Sequence, residues 1–74
     1  MTNPTKLIGT TLNNGATLLA FKTTDHPRYP FIVLCSWDGR FVTWDANPSF
    51  DCFVCGDYSS DTLQEGLQNF NARR

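Results

Sequence analysis

The stretch Phe31–Trp37 (FIVLCSW), the pair Asp38-Gly39 and the returning stretch Arg40–Asp45 (RFVTWD) constrain this chain more than any other feature. Apolar β-branched and aromatic residues dominate both arms, which marks them as strands. Asp-Gly suits a type I′ turn, the two-residue loop whose twist matches that of paired strands. The register follows from the turn. Trp37 faces Arg40, Cys35 faces Val42 and Val33 faces Trp44 on one side of the sheet. Ser36 faces Phe41, Leu34 faces Thr43 and Ile32 faces Asp45 on the other. An antiparallel strand with one wet face alternates between apolar and polar residues. Phe31–Cys35 is apolar at both parities, so this hairpin must be covered on both sides.

The remaining elements are read around it. Met1–Thr5 is polar and contains Pro4, so residues 1–5 are expected to be a flexible end and residues 6–74 a single domain. Lys6–Leu12 reads as a first strand. Asn13-Asn14-Gly15 reads as a type I′ hairpin turn, with Ala16–Thr23 returning so that Leu12 faces Thr17, Thr10 faces Leu19 and Ile8 faces Phe21. Thr24–Pro30 holds Pro27 and Pro30 and is a linker, because proline fits neither a helix interior nor a central strand. Ala46–Phe50 turns around Pro48, and Asp51–Tyr58 is a further strand.

A helix closes the chain. Ser60 or Asp61 can cap it, and Asp61 with Gln64 matches a capping box. Leu63, Leu67 and Phe70 form an apolar stripe at i, i+4 and i+7. Arg73 and Arg74 suit the negative end of the helix dipole. Gly66 costs a helix roughly 1 kcal/mol against alanine, and it is expected to allow close approach to the sheet. The expected fold is α+β: an antiparallel sheet of four to five strands with one C-terminal helix on one face. That helix is expected over Val33, Cys35, Val42 and Trp44. Ile32, Leu34 and Phe41 would then remain for a homodimer or higher oligomer to cover. The alternative is that the first hairpin folds over that face.

At 74 residues the chain is near the lower limit for an independent core. Its net charge is −1, so no basic stripe exists for general nucleic-acid binding. No apolar run is long enough to span a membrane. The N-terminus lacks a basic-then-apolar leader, and the odd count of three cysteines fits a reducing compartment. A cytoplasmic location is expected. Asp38, Asp45, Asp51, Asp57 and Asp61 are interrupted by one positive charge, Arg40. Turn and cap chemistry accounts for aspartates in such places. The sharper reading is an acidic surface, through Asp45, Asp51 and Asp57, that meets a basic partner.

No catalytic motif stands out, and the expectation is a non-enzymatic protein without a cofactor. His26, the sole histidine, lies in the linker between Asp25 and Pro27. It reads as a loop residue more readily than as the base for a Cys35 nucleophile. Cys52 and Cys55 form a C-x-x-C, but residues three apart on a strand point to opposite faces and cannot share a metal. A zinc or redox module through this pair is the alternative. Arg28, Tyr29, Trp37, Arg40 and Tyr58 are candidate binding residues, because aromatic-plus-arginine surfaces hold partner proteins or nucleobases. The plain alternative is cross-strand aromatic pairing.

Phe41-Val42-Thr43-Trp44, then Gly56-Asp57-Tyr58, then Asp61–Phe70 and Arg73 together resemble a loose pattern in small proteins of bacteriophages and mobile elements. The chain departs from that pattern in its cysteines and in carrying a single Glu in the helix. The resemblance covers about half of the chain. It implies an accessory protein acting inside a bacterial host, one that binds and inhibits a host factor such as a CRISPR-type defence effector. A homo-oligomeric sponge for nucleotide signals is the alternative it also implies. Apart from the resemblance, and after the zinc or redox module, a structural subunit of a larger assembly is a fourth reading.

Overall fold

The computed structural model describes residues 4–73. The expected flexible end therefore lies outside the described residues at 1–3, while Pro4–Leu7 forms a short 3-10 helix. Four strands follow, β1 (Thr17–Thr23), β2 (Phe31–Trp37), β3 (Arg40–Ala46) and β4 (Phe53–Ser60), and then helix α1 (Leu63–Ala72). The sheet order is β1-β2-β3-β4 with every pair antiparallel, an α+β fold with the C-terminal helix on one face.

The central hairpin has the register derived above, from Trp37 opposite Arg40 to Ile32 opposite Asp45. Asp38 (φ 50°) and Gly39 (φ 76°) both take the left-handed conformation that a type I′ turn requires.

The first hairpin departs from expectation. Lys6–Leu12 is not a strand: after the 3-10 helix, Gly9 at φ 86° redirects the chain, which meets β1 through one isolated bridge, Thr11 with Thr17. The Leu12 N–H donates to the Ala16 carbonyl at 2.7 Å, and the Gly15 N–H donates to the Leu12 carbonyl at 3.0 Å. The loop is thus three residues long, with Gly15 alone at positive φ (89°). Leu12 faces Ala16, not Thr17. The cause is local: the Asn14 side-chain oxygen accepts from the Ala16 N–H at 3.0 Å, an Asx-type turn that leaves the left-handed position to Gly15.

The last strand is bulged twice. Asp45 faces Val54, Thr43 faces Asp57 and Phe41 faces Ser60, so two steps along β3 match three along β4 on each occasion. Cys55 at φ 56° marks the first bulge.

The helix covers the opposite face from the one expected. Ile32 and Leu34 form a cluster with Phe70, and Leu19, Ala20 and Phe41 pack against it. Gly66 provides the close approach anticipated for it: a Cβ there would lie 2.8 Å from Phe41 Cβ and 3.2 Å from Leu34 Cδ1. The cap is Thr62, whose Oγ1 accepts from the Glu65 N–H at 3.2 Å, one residue beyond the Asp61–Gln64 box. Gly66 and Phe70 therefore turn inward, and Leu63 and Leu67 of the anticipated stripe are 47% and 40% exposed. The sheet selects the side of the helix that lets the backbone come nearest.

The face of Val33, Cys35, Val42 and Trp44 is covered instead by Leu12 and Ala16 from the first turn and by Phe50 from the β3–β4 loop. Both sides of the central hairpin are thus hidden within one protomer. Ile32 and Leu34 are each 1% exposed and Phe41 is half-buried under the helix. The expected oligomer interface of Ile32, Leu34 and Phe41 is therefore internal. The argument for a dimer from an uncovered face falls with it.

Candidate functional site

The bulge at Cys55-Gly56 organises the surface on the Trp44 side of the sheet. Gly56 lies directly against Trp44; a Cβ there would meet Trp44 Nε1 at 2.5 Å and Tyr58 Cε2 at 2.7 Å. The glycine lets Tyr58 reach Trp44, whose indole N–H donates to the Tyr58 hydroxyl at 3.1 Å. The Trp37, Trp44 and Tyr58 rings contact one another at centroid distances of 5.8 to 6.2 Å, and Phe53 adds a ring 5.8 Å from Trp44. These tilted and edge-on arrangements are favoured for aromatic pairs. Trp37 (37% exposed) and Tyr58 (44% exposed) remain open to solvent.

The rings line an open cleft of about 490 Å³, whose other walls are Asn13, Asn14, Asp51 and Cys52. Hydrogen bonds fix those walls. Asn13 Nδ2 donates to the Asp51 carbonyl at 3.1 Å, joining the first turn to the β3–β4 loop. Asn47 Oδ1 accepts from the Asp51 and Cys52 N–H groups at 3.0 and 3.1 Å, and Asn47 Nδ2 donates to the Asp51 carboxylate. Among the described residues that line the cleft, Asp51 alone carries a formal charge.

Of the expected binding residues, the structure brings together Trp37, Tyr58 and Asp51. Arg40 stands opposite Trp37 at the hairpin tip, exposed and outside the cleft lining. Arg28 and Tyr29 lie in the β1–β2 loop, at the other end of β2 from Trp37 and outside the cleft lining, although Tyr29 meets the side chain of Cys52 on the cleft wall. The five residues therefore do not converge on one anion site. His26 Nδ1 accepts from the Arg28 and Tyr29 N–H groups at 3.1 and 3.0 Å, so the histidine braces the loop. The Tyr29 hydroxyl is held above its ordinary pKa by negative charge on the neighbouring Cys52 sulfur, by a hydrogen bond with it and by loss of hydration, with Arg28 opposing.

Of the acidic residues, Asp51 lines the cleft, while Asp45 stands opposite Ile32 on the side of the sheet that the helix covers. Asp45 is paired with Arg73 at 3.0 Å. The same guanidinium also donates to Thr43 Oγ1 at 2.8 Å, the Thr43 carbonyl at 3.0 Å and the Cys55 carbonyl at 2.8 Å. Arg73 thereby ties the end of the helix to the first bulge, and Asp45 serves the fold. Asp57 lies opposite Thr43 in the ladder.

Sequence reasoning missed Trp44, Phe53, Asn13 and Asn14 as cleft residues. Trp44 is readable as a strand residue of the central hairpin, but its meeting with Tyr58 depends on a bulge that strand parity does not reveal.

That bulge also removes the parity argument against Cys52 and Cys55. Both are exposed, Cys52 just before β4 and Cys55 within the bulge. Among the described residues, no group of three or more His, Cys, Asp or Glu side chains is placed to hold a metal ion. Cys35 is fully buried, and loss of hydration pushes its thiol up to about 12. A thiol-reactive dye at neutral pH is expected to label Cys52 and Cys55 quickly, and Cys35 only after unfolding, because the thiolate is the reacting species. Rapid labelling of all three in the folded protein would contradict the buried position of Cys35.

No helix among the described residues is long and apolar enough to cross a membrane. Comparison with protein-family models, curated proteins and solved structures yields no match to this chain.

Proposed function

We propose that this chain is a small non-enzymatic binding protein that engages another protein through the aromatic cleft. The observation that carries this reading is the presentation of Trp37 and Tyr58. Both are solvent-open, and both rest on a Trp44 base braced by the Trp44–Tyr58 hydrogen bond. Tryptophan and tyrosine dominate the energetic centres of protein interfaces, and rigid rings lose little entropy on binding. The likeness to small bacteriophage proteins makes a bacterial host factor the first class of partner to test, with inhibition by direct contact as the mode of action. The nucleotide reading draws less support, because neither Arg28 nor Arg40 lines the cleft and its charged wall is a carboxylate.

The test compares capture of a bacterial host protein by the wild type, Trp37→Ala and Leu67→Ala. Leu67 is exposed on the helix, across the sheet from the cleft, and serves as the control. Trp37→Ala is expected to weaken capture by about 2 kcal/mol, roughly 30-fold. Leu67→Ala is expected to leave it unchanged. Equal capture by the wild type and Trp37→Ala would sink the cleft as the contact.

A further inference from the structure

We infer that the cleft receives a basic side chain, an arginine or a lysine, presented by the partner protein. This rests on the binding reading above and names the chemistry of the occupant.

The walls set that chemistry. Trp37, Trp44, Phe53 and Tyr58 supply aromatic rings, whose faces carry negative electrostatic potential and attract cations. Asp51 is the lining residue that bears a carboxylate, and among the described residues no lysine or arginine lines the cleft to neutralise it. The carboxylate is not adrift. Asn47 holds the Asp51 backbone N–H and one carboxylate oxygen, and Asn13 holds its carbonyl. Asn14, on the same wall, is fixed by its own bond to the Ala16 N–H.

Three occupants can be compared. An anion would approach Asp51 with no counter-charge among the described lining residues, which repels it. A purely apolar side chain would desolvate Asp51 with nothing in return. A basic side chain satisfies both parts of the site: its aliphatic stem lies on the rings and its charged head meets Asp51. Charge complementarity therefore selects the cation.

The experiment titrates the full chain with N-acetyl-arginine methylamide and N-acetyl-lysine methylamide. N-acetyl-citrulline methylamide serves as the neutral isostere of arginine and AMP as the anion. Tryptophan fluorescence and the indole N–H signals of Trp37 and Trp44 report binding. The arginine or lysine probe is expected to bind with a dissociation constant on the order of 1 mM. Binding should be at least about fivefold tighter than for citrulline and should weaken with added salt. Asp51→Asn and Trp37→Leu are each expected to weaken it about fivefold to tenfold. Trp37 is partly exposed, so the Trp37→Leu chain should stay folded even if Asp51→Asn disturbs its loop. Citrulline binding as tightly as arginine, AMP binding more tightly, or no response to either basic probe at about 20 mM would overturn the inference. If Trp37-dependent capture of a host protein persists in any of those cases, the binding reading stands and only the occupant is wrong.

Discussion

Replacing Phe70 by alanine is expected to lower the free energy of unfolding by about 3–4 kcal/mol, the range for deleting a buried aromatic ring. Phe70 is 8% exposed and is the large apolar side chain of the helix that clusters with Ile32 and Leu34. Leu63 and Leu67 face outward, and Gly66 contributes closeness but no side chain. The Lys22 ammonium, 4.9 Å from the ring centroid and bonded to the Phe70 carbonyl, loses its aromatic partner as well. A ten-residue helix is marginal on its own in water, so an undocked α1 should melt. A domain of this length has a total stability of about 4–11 kcal/mol, so this single change removes a large share of it. Urea unfolding followed by far-UV circular dichroism should show an earlier midpoint and reduced helix signal. Leu67→Ala, on the exposed side, is expected to change stability by less than about 1 kcal/mol. Equal losses from the two variants would mean that the helix does not face the sheet through Phe70.

Gly56→Ala is expected to cost about 2 kcal/mol and to deform the cleft. Two effects compete at this position. Alanine narrows the unfolded ensemble and would stabilise a neutral site by about 0.4–1 kcal/mol. Here, however, the added Cβ would lie 2.5 Å from Trp44 Nε1, 2.7 Å from Tyr58 Cε2 and 2.8 Å from Trp44 Cδ1. Overpacking of this kind costs about 1–3 kcal/mol, and Trp44, 4% exposed, has little room to yield. The steric term should prevail. The melting temperature should fall by roughly 10 °C, given the sensitivity of small domains. The Trp44–Tyr58 hydrogen bond should break, with a changed tryptophan emission spectrum. An unchanged melting temperature and spectrum would mean that Gly56 does not separate these rings as described.

How much of this was legible beforehand differs from element to element. The central hairpin was readable because its information is local: Asp-Gly sets the turn, and the turn sets every cross-strand pair. The first turn was half readable. Its glycine was identified, but Asn14 bonds forward to Ala16 and lengthens the loop by one residue, which shifts the register. The helix was readable in place, yet its inward side was not. Leu63, Leu67 and Phe70 make the more apolar stripe, but the sheet beneath is met by the side that carries Gly66 and Phe70, where the glycine lets the backbone come close.

The candidate site follows the same division. Trp37, Tyr58 and Asp51 were identifiable as residue types suited to binding. Their convergence required the double bulge in β4 and a contact between Asn13 and Asp51, which lie 38 residues apart in the chain.

By itself the sequence determined the α+β class, the antiparallel pairing of the central strands and the need to bury both sides of the hairpin they form. Those properties arise from turn conformations and the two-residue period of a strand, which act over a few neighbouring residues. Only the tertiary structure decided which face the helix covers, how the other face is closed and which aromatic rings meet. Those choices depend on the fit between surfaces distant in the chain, and that fit settles only when the whole protomer packs together.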